Sequence, residues 1–517
     1  MRVCRNALLC LAAAAALVFA TDAALAQQVF SRGPAKNVGV KGPVRGATQN
    51  IGVSGPTRGG YRGGGNYGGG GFRGGWGVPG VLMGIPQMIP PDGGQYVDDG
   101  GNGPRGPNPP RRTARRRNSN VPPANERRYV PDEVVLEISN TVSPAQINAL
   151  QTRFRLTRLE SQTFQLSGTT LYRWRIPSNV SVPRAVRALE GDARVAAVQP
   201  NYLFRMQQSE AKTESKTEIK AAAEGDAAQY ELAKLHLPQA HTLAKGGNVL
   251  VAVIDSGVDA NHPDLAGAIA ESYDTLGTPM APHKHGTAIA GLIAAHGKLM
   301  GAAPDARILA IRAFNPAEQG ADGTTFNILK GLDWAAAHDA RVINMSFAGP
   351  ADPAIHRSLD AAHKRGIVLV AAAGNGGAKS PPLYPAADPN VIAVTATDAG
   401  DKLFEQSNRG NYIAVAAPGA KILVANPDGA YEVSSGTSYS AAEVSGIVAL
   451  MLEHKGDLSP DNVLAILMAT AKDLGPKGRD PMFGAGLVDA YGALVLEKAP
   501  VTAAAPRPVE RVSTGRR

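Results

Sequence analysis

Apolar positions fall into three regimes along the chain. A single unbroken apolar run covers residues 7–20, behind Arg2 and Arg5. It is shorter than the ~20 residues of a membrane-spanning helix. Ala24-Leu25-Ala26 then supplies small residues suited to cleavage, so residues 1–26 read as an export signal. In a second regime, residues 134–138 alternate as a strand, and residues 144–155 follow a helical pattern with Ser143 as N-cap. A strand at 170–176, a helix at 183–189 and a last strand at 196–199 complete a small ferredoxin-like α+β domain, residues 129–205. The third regime has near-continuous apolar runs at 249–254, 308–311, 342–345, 367–371, 391–394 and 413–415. Such runs are expected of strands buried on both faces. Helical patterns at 287–296, 326–338 and 354–365 separate several of them. Residues 229–498 are therefore predicted to form an α/β domain with a doubly wound parallel sheet.

Composition explains what the periodicity leaves over. Residues 27–128 hold 26 Gly and 13 Pro, too little apolar surface to offset the entropy of ordering. They predict a disordered Gly/Pro/Arg-rich leader. The motif Asn37-Val38-Gly39-Val40-Lys41-Gly42-Pro43 recurs in it as Asn50-Ile51-Gly52-Val53-Ser54-Gly55-Pro56. Residues 206–228 alternate Glu and Lys and read as a linker; residues 499–517 read as a C-terminal tail.

The net charge of +9 invites a nucleic-acid or membrane reading. It is local, however. Residues 27–128 carry 15 Lys+Arg against 4 Asp+Glu, and removing that +11 and the +1 of residues 1–26 leaves −3 on the other 389. No nucleic-acid partner is expected for the folded part. The leader's Arg58-Gly59-Gly60-Tyr61 and Phe72-Arg73-Gly74-Gly75-Trp76 fit either an anionic surface polymer or a solvated spacer. Both cysteines, Cys4 and Cys10, precede the expected signal cleavage, so thiol chemistry and disulfides are excluded from the mature chain. Its expected place is outside the inner membrane, periplasmic or extracellular, with no membrane span after signal removal.

Candidate chemistry sits where buried strands end and helices open. Asp255 ends the run Val251-Ala252-Val253-Ile254, where open parallel sheets build their sites. A carboxylate there orients a histidine, or merely caps a turn. His285 precedes Gly286-Thr287 at a helix entrance and suits a general base or a cap, with His283 as its rival. Ser438 opens a long apolar helix; it is either an N-cap or a nucleophile whose oxyanion meets free N–H groups. Asn375, after Ala371-Ala372-Ala373-Gly374, is an oxyanion donor or a turn residue.

Asp, His and Ser in that chain order are the arrangement known from subtilisin. Val253-Ile254-Asp255-Ser256-Gly257-Val258-Asp259, His285-Gly286-Thr287 and Ser435-Gly436-Thr437-Ser438 resemble the three boxes of the subtilase family of serine proteases, across residues 229–498. The resemblance implies a secreted serine endopeptidase with polypeptide substrates and an acyl-enzyme. Asp255, His285 and Ser438 would form the triad, with Asn375 at the oxyanion. It implies that Ser346, Phe347, Ala348 and Gly349 pair with the substrate and wall the S1 pocket. Asp322 and Gly323 would line its other edge, and Leu383, before Tyr384-Pro385, its floor. It also implies that residues 129–205 act as a propeptide, a chaperone and inhibitor in cis, with processing within 206–229. A permanent accessory domain is the alternative.

The departures from the family pattern are Tyr439 for Met, Ala442 for Pro, Ala288 for a second His, Ala348 for Gly and Leu383 for Gly. Ala348 and Leu383 narrow the pocket and predict small or medium apolar P1 residues. The loop His296-Gly297-Lys298-Leu299-Met300-Gly301 offers no carboxylate or amide side chain for the family's calcium, and Asp264 reads as a local cap. No metal or cofactor is expected. A silent scaffold of the same fold, or a surface-binding protein acting through its leader, is the alternative function.

Overall fold

The computed structural model describes residues 119–139, 141–206, 228–279, 281–317 and 320–496. The chain divides into Met1–Pro107 and Asn108–Arg517, and every described residue belongs to the second unit. The expected signal, the leader to residue 118, linker residues 207–227 and the tail beyond 496 lie outside the described residues. No helix among the described residues is long and apolar enough to cross a membrane.

The first compact layer runs β1 (Tyr129–Ile138), α1 (Pro144–Phe154), β2 (Thr157–Phe164), β3 (Thr169–Arg175), α2 (Val182–Glu190) and β4 (Val195–Met206). Its antiparallel strands lie in the order β2-β3-β1-β4, which is ferredoxin-like. Ser143 and Gln146 close a capping box on α1. Trp174, Leu136, Leu150, Val186 and Leu189 form the core between the sheet and both helices.

Two features differ from the sequence pattern. β2, with the sequence Thr-Arg-Leu-Glu-Ser-Gln-Thr-Phe, carries no clear apolar alternation; it is an edge strand paired to β3, with Phe164 buried and Glu160 and Gln162 half-buried on one face. β4 continues past residue 199 to Met206, because it finds strand partners beyond its own layer.

The larger layer is a parallel sheet in the order β14-β13-β12-β10-β5-β7-β6. Its strands are β5 (Leu250–Asp255), β6 (Ile269–Asp274), β7 (Arg307–Arg312), β10 (Val342–Met345), β12 (Val368–Ala372), β13 (Ile392–Thr397) and β14 (Ile413–Pro418). Alternate residues of one strand serve two cores. Val251 and Val253 face the core containing α3 (Lys284–Ala294) and α6 (Thr437–His454). Ala252 and Ile254 face the core containing α4 (Thr325–Ala337) and α5 (Pro353–Lys364). Helices on both faces make the sheet doubly wound. The short strands β8 (Phe314–Ala317), β9 (Gly320–Thr324) and β11 (Phe347–Ala348), the hairpin β15 (Ile422–Asn426) with β16 (Ala430–Ser434), and the helices α7 (Pro460–Thr470) and α8 (Ala490–Val495) complete the layer.

The ferredoxin-like sheet packs its open face on α4 and α5. Phe164 meets Phe326 edge-on, with ring centroids 5.8 Å apart. The amide N–H of Leu166 donates to Asp333 at 2.7 Å, and Lys330 pairs with Glu160 at 2.8 Å. Asp352 caps α5 and also accepts from Gln199 Nε2 of β4 at 2.7 Å.

α6 is buried on every side from Thr437 to Leu452, which is why it shows no amphipathic period. That burial includes Glu443, beside Glu231 of the short helix Tyr230–Lys234; both are at most 1% exposed. Neither Oε2 has a hydrogen-bond partner. Burial pushes the Glu231 carboxyl up to about 7, and burial together with the Glu231 charge pushes Glu443 up as well. The folded chain thus holds protons that the unfolded chain releases near 4.5. This contribution to stability is complete below that pH and falls away as pH rises towards 7. Glu443→Gln is expected to raise Tm by about 2–4 °C at pH 8 and to leave it unchanged at pH 4 by calorimetry.

Candidate active site

Asp255 is the last residue of β5, and His285 and Ser438 stand on the first turns of α3 and α6. Asn375 follows β12 by three residues. The carboxyl end of the parallel sheet therefore gathers all four. His285 Nδ1 donates to Asp255, 2.9 Å from Oδ1 and 3.0 Å from Oδ2. Oδ1 also accepts from the Ser256 amide at 2.7 Å and the Ser256 hydroxyl at 2.9 Å. A carboxylate with 0% exposure needs such partners, since an unpaired buried charge costs several kcal/mol.

The helix carrying His285 approaches this closely because residue 286 has no side chain. A Cβ there would collide with the Gly257 carbonyl and reach 3.2 Å from Asp255 Oδ1. The rival, His283, is the N-cap residue of α3, and its Nδ1 meets the Ser256 hydroxyl at 2.7 Å rather than Asp255 directly.

His285 Nε2 is buried without a hydrogen bond. The Ser438 hydroxyl donates to the Ser346 carbonyl oxygen at 3.1 Å, and the Ser346 hydroxyl donates back to the Ser438 carbonyl oxygen at 3.2 Å. Tyr439, the next residue of α6, lies with its ring 6.2 Å from that of His285. Its hydroxyl donates to Ser434 Oγ at 2.8 Å. Asn375 Oδ1 accepts from the Thr437 amide at 3.1 Å and the Thr437 hydroxyl at 2.9 Å, so its NH₂ end is turned away from Thr437. Thr437 therefore fixes the orientation of the Asn375 amide. In the sequence it stands inside the Ser438 box.

The remaining candidates line the groove that receives β4. Arg205 and Met206 pair antiparallel with Ala348 and Phe347 of β11 on one side. Leu203, Phe204 and Arg205 pair with Thr324, Gly323 and Asp322 of β9 on the other. Phe204 is fully buried edge-on to Phe347, 6.0 Å between centroids, and a Cβ at Gly349 would overlap its ring. Gly323 leaves room for the Phe314 ring instead. Arg205 Nε donates to Asp322 Oδ1 at 3.0 Å. Gly349 and Tyr384 exchange backbone hydrogen bonds, and the Tyr384-Pro385 bond is cis. Leu383 closes on Gly374, whose positive φ a side chain would strain.

Asp264 accepts backbone N–H groups of Lys298 at 2.8 Å and Leu299 at 3.1 Å. Gln229 holds Met300 of the same loop through both its N–H and its C=O. No cluster of three or more His, Cys, Asp or Glu among the described residues is arranged to hold a metal ion.

An α/β protein with an Asp–His pair and a helix-borne serine at the carboxyl edge of its sheet has the architecture of a serine hydrolase. The Subtilase family model matches residues 246–486. Thermitase from Thermoactinomyces vulgaris is 35% identical over 274 residues, 52% of this chain and 95% of thermitase. Subtilisin E from Bacillus subtilis (strain 168) is 32% identical over 322 residues, 60% of this chain and 78% of that protein. The crystal structure of fervidolysin from Fervidobacterium pennivorans, a keratinolytic enzyme related to subtilisin, superposes with a TM-score of 0.60 at 25% identity. That superposition covers 72% of this chain and 62% of fervidolysin. The chain belongs to the subtilase family and is a subtilisin-like serine endopeptidase.

The close approach at Gly286 has a measurable consequence. Gly286→Ala is expected to part α3 from the Asp255 loop, lower Tm by several degrees and cost at least ~2 kcal/mol of stability in denaturant titration. An unchanged midpoint would mean the two segments separate without strain.

Proposed function

We propose that the chain is exported as a self-inhibited precursor and cleaves polypeptides through Ser438, His285 and Asp255. The observation that carries this reading is His285 itself. Its Nδ1 is held by both oxygens of a buried Asp255, while its Nε2 is buried and makes no hydrogen bond. The pairing at Nδ1 fixes the tautomer with the lone pair on Nε2, the state a general base requires. Ser438 turns from the Ser346 carbonyl, transfers its proton to Nε2 and attacks the scissile carbonyl carbon. The Asn375 NH₂ and a backbone N–H at the start of α6 hold the oxyanion. His285 then returns the proton to the leaving amine, and water releases the acyl-enzyme in the same way.

Residues 129–205 serve as the inhibitor. Strand β4 occupies the groove between β9 and β11 as an antiparallel third strand, so its backbone satisfies the donors and acceptors a substrate would use. Processing follows Met206, within residues 206–229. The reading needs no metal at the 296–301 loop, because both oxygens of Asp264 are engaged by that loop's own N–H groups.

Ser438→Ala is expected to abolish labelling by a fluorophosphonate and to leave the precursor uncut. N-terminal sequencing of the wild-type product should begin within 206–229. Retained labelling in the variant would remove Ser438 from the mechanism. Leu383 and Ala348 narrow the pocket, so peptides with Ala or Leu at P1 are expected to show a higher kcat/KM than peptides with Phe. A strong Phe preference would overturn this assignment of the pocket.

A further inference from the structure

Two histidines converge on one carboxylate. His285 reaches Asp255 directly, and His283 reaches it through Ser256. Ser256 is fully buried at the turn after β5, and its hydroxyl lies 2.9 Å from Asp255 Oδ1 and 2.7 Å from His283 Nδ1. A hydroxyl has one hydrogen. If it donates to Asp255, His283 Nδ1 must carry a hydrogen and donate to Ser256 Oγ. If it donates to His283, Oδ1 loses that partner.

The distances choose between these. The alternative donor to His283 Nδ1 is the His285 amide, and at 3.4 Å it is beyond the usual range for an N–H···O or N–H···N bond. A buried carboxylate also binds a hydroxyl donor more strongly than a neutral imidazole nitrogen does. The favoured arrangement is a chain of donors, His283 Nδ1–H to Ser256 Oγ–H to Asp255 Oδ1. The titratable groups facing His283 are Asp255, His285 and Lys284. Burial, foremost, holds the His283 imidazole below the usual histidine range.

We propose that His283 is a positioning residue that acts on Asp255 through Ser256, drawing charge from Oδ1 and so lowering the basicity of His285. The proposal rests on the catalytic reading of Asp255 and His285. The arm weakens the attraction between Asp255 and the imidazolium that His285 becomes when it takes the proton. It touches neither substrate nor the reacting atoms. Its effect belongs in the pH dependence of the rate.

The test is the pH profile of kcat/KM, whose acid limb reports the free enzyme's base. It is measured on the mature enzyme with one peptide for the wild type, His283→Ala, His283→Asn, Ser256→Ala and the Ser256→Ala/His283→Ala pair. Removal of the arm by His283→Ala or Ser256→Ala is expected to move the acid limb up by about half a pH unit. His283→Asn, which returns an N–H donor near the Nδ1 position, is expected to restore the wild-type limb. In the Ser256→Ala background, His283→Ala is expected to add no further shift, because the arm is already cut. Superimposable profiles for wild type, His283→Ala and Ser256→Ala would overturn the proposal. So would a full additional shift in the double variant, which would mark a through-space charge effect. If His283→Ala does not fold, Ser256→Ala and His283→Asn decide alone. Fluorophosphonate labelling of every variant separates the two readings: loss of the catalytic reading shows as labelling that survives Ser438→Ala, whatever the His283 profiles.

Discussion

A buried carboxylate beside a buried imidazole is the constraint around which this molecule is arranged. Asp255 and His285 are both removed from water, so each depends on partners the fold supplies. The sheet brings Asp255 to the carboxyl end of β5. A bare Gly286 lets α3 approach it, and Ser256 contributes two donors to one oxygen. Removing any one of these donors weakens the compensation of a charge in a low-dielectric place, which is costlier than losing a hydrogen bond at a surface. The pair is therefore a demand on the surrounding structure more than a source of its stability.

A second constraint follows from the sheet edges. β9 and β11 are short, and β9 is rich in Gly, Asp and Thr, with weak strand preference. β11 becomes a strand by pairing with β4, and β9 by pairing with β8 on one side and with β4, which runs between β9 and β11, on the other. The groove is thus defined as a gap one strand wide. Alternate side chains of β4 point inward and outward, so Phe204 is buried against Phe347 while Arg205 is left at the rim beside Asp322. A polypeptide laid there in extended form would present its side chains to the same alternation.

Polar contacts tie these parts to α6. Asn344 donates to Ser346 and accepts from Ser445, Ser346 and Ser438 bond reciprocally, and Thr437 fixes the Asn375 amide. Ser445 and Ser438 join the helix to the end of β10, and Thr437 joins it to the turn after β12. A shift of α6 would disturb Ser438, Asn375 and the groove wall together.

The strong apolar runs made the parallel sheet legible, because strands buried on both faces leave an unmistakable pattern, as in Val251-Ala252-Val253-Ile254. The Asp255, His285 and Ser438 boxes were legible for a related reason: each needs particular small residues beside it, such as Gly286. β2 was not legible, since its half-buried face carries Glu160 and Gln162 before Phe164 and so shows no apolar alternation. Nor was β9, a Gly-, Asp- and Thr-rich segment that pairs with β8 beside it and with β4 more than a hundred residues away. His285 was separable from His283 by the Gly286-Thr287 that follows it, but the partner each ring meets was not, because only packing sets the direction of two rings on one helix turn. By itself, then, the sequence determined which segments are buried and which residue types stand at their ends, because burial and turn geometry act locally. The tertiary structure alone decided which polar atoms meet and which weak segments become strands, because those depend on distance in space.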